Sequence, residues 1–217
     1  AVTRTIDMTL TDKRGRVRER QALVFRHNQA DLKHTRITYM APKAVRELTF
    51  LSRDFNDNAK GDERWLYIPA ARKVRRIPAS DRGDYFLGTD FTYENIKNET
   101  KVTTEDYDWT TLGWQKLKDC ECILIEGRTR TPKIAKELGH SRTTRWIDTS
   151  TWLTRKIEYY DDAGEKLKTI TASDITEIDG IWTARRLTCE NHISGGSSVF
   201  RFTDHDYGTE LGGDLFT

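Results

Sequence analysis

Residues 64–77 read RWLYIPAARKVRRI. RWLYI is rich in aromatic and β-branched side chains, the chemistry that suits a pleated, half-buried strand. Pro69 lacks a backbone donor and fixes its own φ, so the strand ends there. Ala70 and Ala71 carry the chain round and KVRRI returns, which predicts a β-hairpin over 64–77.

The same period of two runs outward in both directions. Toward the start, Ile6, Met8 and Leu10 alternate with Asp7 and Thr9, the pattern of a strand buried on one face. TDKRGR (11–16) reads as a turn, VRERQALVF (17–25) and HTRITYM (34–40) as strands, and Pro42 opens a short connection with one helical turn through Val45. LTFLSRDF (48–55) is extended again, and NDNAKGDE (56–63) is a polar loop. Toward the end, DYDWTTLGWQKL (106–117) and CECILIEGRTR (120–130) form a hairpin around Lys118 and Asp119. TTRWIDT (143–149), WLTRKIEYYD (152–161), KLKTITASDI (166–175), WTARRLTCENHI (182–193) and SVFRFTDHDY (198–207) follow, separated by turn signals at 161–164, 179–180 and 194–197. About ten strands and few helices place the chain in the antiparallel β class.

Two segments break the alternation. TPKIAKELG (131–139) predicts a short helix, with Thr131 as N-cap, Pro132 at the first position and Gly139 past the end. Ile134 and Leu138 share one face, which must dock on the sheet because so short a helix is unstable alone. DRGDYFLGTDFTYENIKN (81–98) carries too much apolar surface for a solvated loop, so it is expected to cover something apolar.

The 217 residues suffice for a core without disulfide or metal, and a single domain over 1–217 is expected. A net charge of +2 is too balanced to argue for nucleic acid. No apolar run reaches the ~20 residues of a membrane-spanning helix. The chain begins at Ala1, which we read as a mature chain with its signal peptide removed.

The chemical constellations point away from catalysis. The histidines at 27, 34, 140, 192 and 205 lack metal-ligand spacing, and there is no phosphate loop or nucleophile elbow. No catalytic residue, metal or cofactor is expected. Cys120 and Cys122 share a strand face roughly 6.5–7 Å apart, too far for easy bridging. Pairing of one of them with Cys189 across the sheet stays open, the odd count leaves at least one thiol free or paired with another chain, and the favoured reading is of buried, small apolar side chains. ARKVRRI (71–77), the most basic stretch, reads either as a patch for anionic head groups or as a solvated strand face with Val74 and Ile77 inward; the second is the commoner situation.

At residues 64–96, RWLYIPAARKVRRIPASDRGDYFLGTDFTYENI resembles the bacterial outer membrane lipoprotein-sorting family, related to the periplasmic carrier LolA. The resemblance continues through WIDTSTWLTRKIEYYDDAGEKLKTIT (146–171), IDGIWTARRLTCEN (178–191) and DLF (214–216). It implies a mainly β fold, a half-open antiparallel β-barrel of about eleven strands whose concave side is closed by a few short helices, with 132–138 and 85–96 as lid pieces. It also implies a periplasmic carrier of lipid or lipoprotein acyl chains, working with an RND-type exporter through transient membrane-protein contact. Candidate lining residues are Phe50, Leu66, Ile68, Phe86, Leu87, Phe91, Trp146, Ile157 and Trp182. They come from both strand faces, since alternation alone does not say which is concave. Under the alternative reading, an exporter-docking adaptor that carries nothing, Arg72, Lys73, Arg75 and Arg76 are the interface charges.

Overall fold

The computed structural model describes residues 1–55, 60–99, 101–118 and 120–216. Residues 56–59 of the expected polar loop and Asp119 of the expected hairpin turn lie outside them. The described residues are mainly β and form thirteen strands, against the roughly ten to eleven expected. They are β1 (Val2–Thr11), β2 (Val17–Asn28), β3 (Leu32–Ala41), β4 (Thr49–Phe55), β5 (Glu63–Ile68), β6 (Lys73–Ile77), β7 (Tyr107–Leu117), β8 (Cys120–Thr129), β9 (Arg142–Asp148), β10 (Thr154–Tyr160), β11 (Lys166–Ile178), β12 (Ile181–Asn191) and β13 (Ser197–Asp206). One antiparallel sheet joins them in the order β6-β5-β4-β3-β2-β1-β13-β12-β11-β10-β9-β8-β7 and does not close. Two α-helices accompany it, α1 (Tyr93–Asn98) and α2 (Pro132–Leu138). The chain divides into two compact units, one of residues 1–9, 18–80 and 200–217, the other of 10–17 and 81–199.

In the first unit the pleat sorts side chains into two cross-strand rows. Val24, Ile37, Phe50 and Leu66 stand side by side from β2 to β5, and the first three are buried. One position along, Phe25, Arg36, Leu51, Trp65 and Arg76 form the row on the opposite face. β1 follows the same rule, and its buried Arg4 lies over the Phe202 ring at 4.1 Å. The hairpin expected over 64–77 turns through a short 3-10 segment, Pro69–Ala71, that ends on Arg72 in the left-handed region.

In the second unit α2 has the expected caps: the Thr131 hydroxyl accepts from Ile134 N at 3.2 Å, and Gly139 closes with φ 73. Segment 81–98 is a cover of 3-10 turns ending in α1, whose Thr92 and Asn95 form a reciprocal capping box. Six residues cannot hold a helix in water, so packing holds it. Phe86, Phe91, Tyr93 and Ile96 are buried, with Phe86 edge-on to Tyr93 at 5.5 Å. The Arg82 guanidinium grips the Asp106 carboxylate with both arms at 2.6 and 3.0 Å. Gly83 lies so close to the end of α2 that a Cβ there would meet Leu138 backbone at 2.5 Å.

Polar groups fix the cover to the sheet. The Asp90 carboxylate accepts from Ser198 Oγ at 2.6 Å and from Asn191 Nδ2 at 3.1 Å, while Asn191 also donates to the Tyr85 hydroxyl. Lys168 Nζ donates to Asn95 Oδ1 at 2.7 Å, and Asn95 Nδ2 donates to the Tyr159 hydroxyl at 3.0 Å. Burial pushes the Lys168 pKa down to about 8. All three cysteines are free thiols, with Cys122 and Cys189 buried; the Cys189 Sγ donates to Asp90 O, and the Cys120 and Cys122 sulfurs stand 3.6 Å apart.

His140 is buried between the Tyr107 hydroxyl, 2.7 Å from Nε2, and Leu138 O, 3.1 Å from Nδ1. A carbonyl only accepts, so Nδ1 carries the proton and Nε2 accepts from Tyr107. Burial first, then the Lys168 charge, pushes the His140 pKa down to about 3. The unfolded chain therefore binds a proton between pH 6.5 and about 3 that the folded chain excludes, and stability is full above pH 6.5 and lost below it. Urea denaturation should show a loss from this group of roughly 2 kcal/mol between pH 7 and pH 5. His140→Gln should flatten that slope, leaving a smaller fall from His34, whose pKa burial also lowers. Equal slopes in the two proteins would refute the assignment.

Candidate functional site

The second row of the first unit walls a cavity of about 450 Å³. Its apolar floor is Leu51 of β4, Trp65 and Tyr67 of β5 and Val74 of β6. They meet because Leu51 pairs with Trp65 and Tyr67 with both Thr49 and Val74, all on one face. The remaining wall is the 3-10 turn Gly213–Phe216, which supplies Leu215 and Phe216. Phe216 is 1% exposed and lies edge-on to His34 at 5.1 Å, with His27 at 6.4 Å. Arg36 Nη1 donates to Leu215 O at 3.0 Å and ties the turn to β3.

The polar end of the cavity is cationic. Arg36 and Arg53 line it, and Arg76 stands beside Trp65 on the same face. The Arg53 guanidinium lies over the Trp65 ring at 5.6 Å. Glu63 is 3.9 Å from Arg53 and 3.8 Å from Arg76, a charge contact longer than a hydrogen bond. Arg53 Nε and both His34 ring nitrogens are buried without a hydrogen-bond partner among the described residues. Burial, with the charges of Arg53 and His27, holds the His34 pKa below the usual imidazole value, against the pull of Asp54. Each such unpaired group costs about 1–3 kcal/mol.

None of the lining residues named from the sequence borders this cavity. Phe50 and Leu66 stand in the row on the other face of β4 and β5, and Ile68 ends β5 half-buried on Leu66's face. Phe86 and Phe91 are buried in the cover of the second unit, with Leu87 half-buried between them at φ 46. Trp146 is buried on β9, its Nε1 donating to Gln115 Oε1 at 2.8 Å and its ring under Lys156 at 4.4 Å. Ile157 is buried on β10, while Trp182 on β12 is 44% exposed. Arg72, Lys73, Arg75 and Arg76 are all exposed at the sheet edge formed by β6. Arg36, Thr49, Leu51, Arg53, Trp65, Tyr67, Val74, Leu215 and Phe216 border the cavity and are absent from the expected lining set. The alternation of the strand residues was visible, but the wall that makes a cavity of them arrives from residues 213–216.

Among the described residues no group of three or more His, Cys, Asp or Glu is placed to hold a metal ion, and no helix is long and apolar enough to cross a membrane. A family model described as an uncharacterized protein-like family matches residues 31–217. Among solved structures, a DUF1329 family protein from Desulfovibrio piger is 25% identical, with 100% of this chain and 89% of that one covered and a TM-score of 0.90. A domain assigned to outer membrane lipoprotein sorting from Vibrio parahaemolyticus is 24% identical, covering 99% and 88%, with a TM-score of 0.88. A LolA superfamily protein from Nitrosomonas europaea is 16% identical, covering 100% and 89%, with a TM-score of 0.73. No curated protein matches the chain in sequence.

Proposed function

The chain belongs to the family matched over residues 31–217 and has a LolA-like, carrier-type fold, and on that premise we propose that it is a non-catalytic periplasmic carrier of lipid or lipoprotein acyl chains. The observation that carries the reading is the cavity of about 450 Å³ floored by Leu51, Trp65, Tyr67 and Val74. That size falls in the range of roughly 300–1,000 Å³ that small-molecule sites occupy. Each buried methylene contributes ~0.8 kcal/mol, so a tail of roughly eight methylenes gains on the order of 6 kcal/mol before ordering costs. No bond is made or broken; loading and release follow opening and closing of the site.

The residues named from the sequence extend the proposal. Phe86, Leu87 and Phe91 belong to the cover, so an acyl chain taking their place in the second unit has to lift segment 85–96. Phe50, Leu66 and Ile68 offer a further apolar row in the first unit, and Trp146, Ile157 and Trp182 further positions in the second.

Native mass spectrometry of protein purified without detergent, followed by solvent extraction, should find a bound lipid. Leu51→Asp sets a charge in the cavity floor and should lower acyl-chain affinity about tenfold or more with the melting temperature kept. A folded Leu51→Asp variant with undiminished affinity would remove the cavity from the proposal.

A second role is favoured by the exposure of Arg72, Lys73, Arg75 and Arg76 on and beside edge strand β6. These cations provide a docking face for an acidic surface on an RND-type exporter. Such binding should weaken steeply between 50 and 500 mM salt, as roughly Debye-length electrostatics require, and on reversing Arg75 and Arg76 to Glu. Salt-independent binding would exclude this face.

A further inference from the structure

We propose that the ligand of the first unit's cavity is an anionic amphiphile, an acyl chain with a carboxylate or phosphate head, whose oxygens Arg53 and Arg36 receive. The inference builds on the carrier reading and names the ligand class for it.

The charge balance of the lining supports it first. Among the described residues two guanidiniums and no carboxylate line the cavity. The nearest acid on that face, Glu63, stays 3.9 Å from Arg53, too far to satisfy its donors. Arg53 Nε is buried with no hydrogen-bond partner among the described residues, although a guanidinium presents a planar fork suited to paired oxygens. The Arg53 guanidinium lies over the Trp65 ring at 5.6 Å, and the same indole floors the apolar part. Head and tail sites are thus adjacent.

Arg36 is the second receiver. It pairs directly with Leu51, and His34 with Arg53, so Arg36 and Arg53 are diagonal neighbours on one face, roughly 7–8 Å apart. Arg36 already gives one N–H to an oxygen at the cavity wall, the Leu215 carbonyl at 3.0 Å. The remaining guanidinium N–H groups of Arg36 make stronger, charge-assisted bonds to an oxyanion than to a neutral oxygen. His34, both of whose ring nitrogens are buried without a partner among the described residues, backs the same wall behind Phe216. A cationic head would be repelled by the two guanidiniums, and a neutral alcohol would give Arg53 only an uncharged, weaker acceptor.

The test is calorimetric titration of the whole chain with four single-tail probes of equal length at submicellar concentration: dodecanoate, dodecyl phosphate, dodecanol and dodecyltrimethylammonium. One or both anions should bind about tenfold more tightly than dodecanol, the value of one charge-assisted hydrogen bond. The ammonium should bind more weakly than dodecanol. Whichever anion is preferred separates a fatty-acid source from a phosphate-bearing one. Arg53→Gln should cancel most of the anion preference, read as the ratio of anion to dodecanol affinity in the variant against the same ratio in the wild type. The wild-type chain offers a second measurement that needs no variant: anion affinity should fall several-fold between 50 and 500 mM NaCl while dodecanol affinity holds. Equal affinity for dodecanol and both anions overturns the anionic assignment and leaves the carrier reading standing. Absence of binding by all four probes overturns the carrier reading for this cavity and the inference with it.

Discussion

A pleated strand has two faces and no third, and the candidate site follows from that constraint. Moving one residue along β4, from Phe50 to Leu51, passes from the buried row of the first unit to the cavity floor. Because four neighbouring strands keep a common register, the rows stay coherent from β3 to β6. A slip of one residue in any of them would exchange a core residue for a cavity residue, so the hydrophobic pattern that fixes the core fixes the site too.

The second unit solves a different problem. A six-residue helix and a run of tight turns have little stability of their own, yet they bury Phe86, Phe91, Tyr93 and Ile96. Hydrogen bonds give the apolar contacts a unique position. Asp90 is met by Ser198 and Asn191, and Asn95 both closes the helix cap and receives Lys168. Burial lowers the proton affinity of Lys168, and of His140 in the same unit. The cover is therefore held by groups whose strength depends on burial, and anything that lets water under it weakens them together.

Apolar floor and cationic end make the cavity of the first unit amphipathic by construction. The row that supplies Leu51 and Trp65 also supplies Arg36 and Arg76, so apolar and cationic side chains are neighbours in one line of the sheet. The basic hairpin read from the sequence as either a head-group patch or a solvated face has features of both. Arg75 and Lys73 point to the side of Leu66 and Ile68 and are exposed, while Val74 joins the cavity floor.

The local chemistry of the chain determined much of this. Alternation in RWLYI and KVRRI, proline at 69 and the Thr131–Pro132–Gly139 signals dictate their elements wherever they occur, because backbone sterics and capping act within a few residues. The capping box at Thr92 and Asn95 was equally local, but its apolar neighbours carry no helical period, and the segment was read only as a cover. Tertiary structure decided the rest. Whether Phe86 or Trp65 faces a void, and whether Cys189 meets another thiol or a carbonyl, depends on partners far along the chain. The cavity's last wall hangs on a hydrogen bond between Arg36 and Leu215, 179 residues apart, and no local pattern encodes a contact whose existence is set by the fold of everything between.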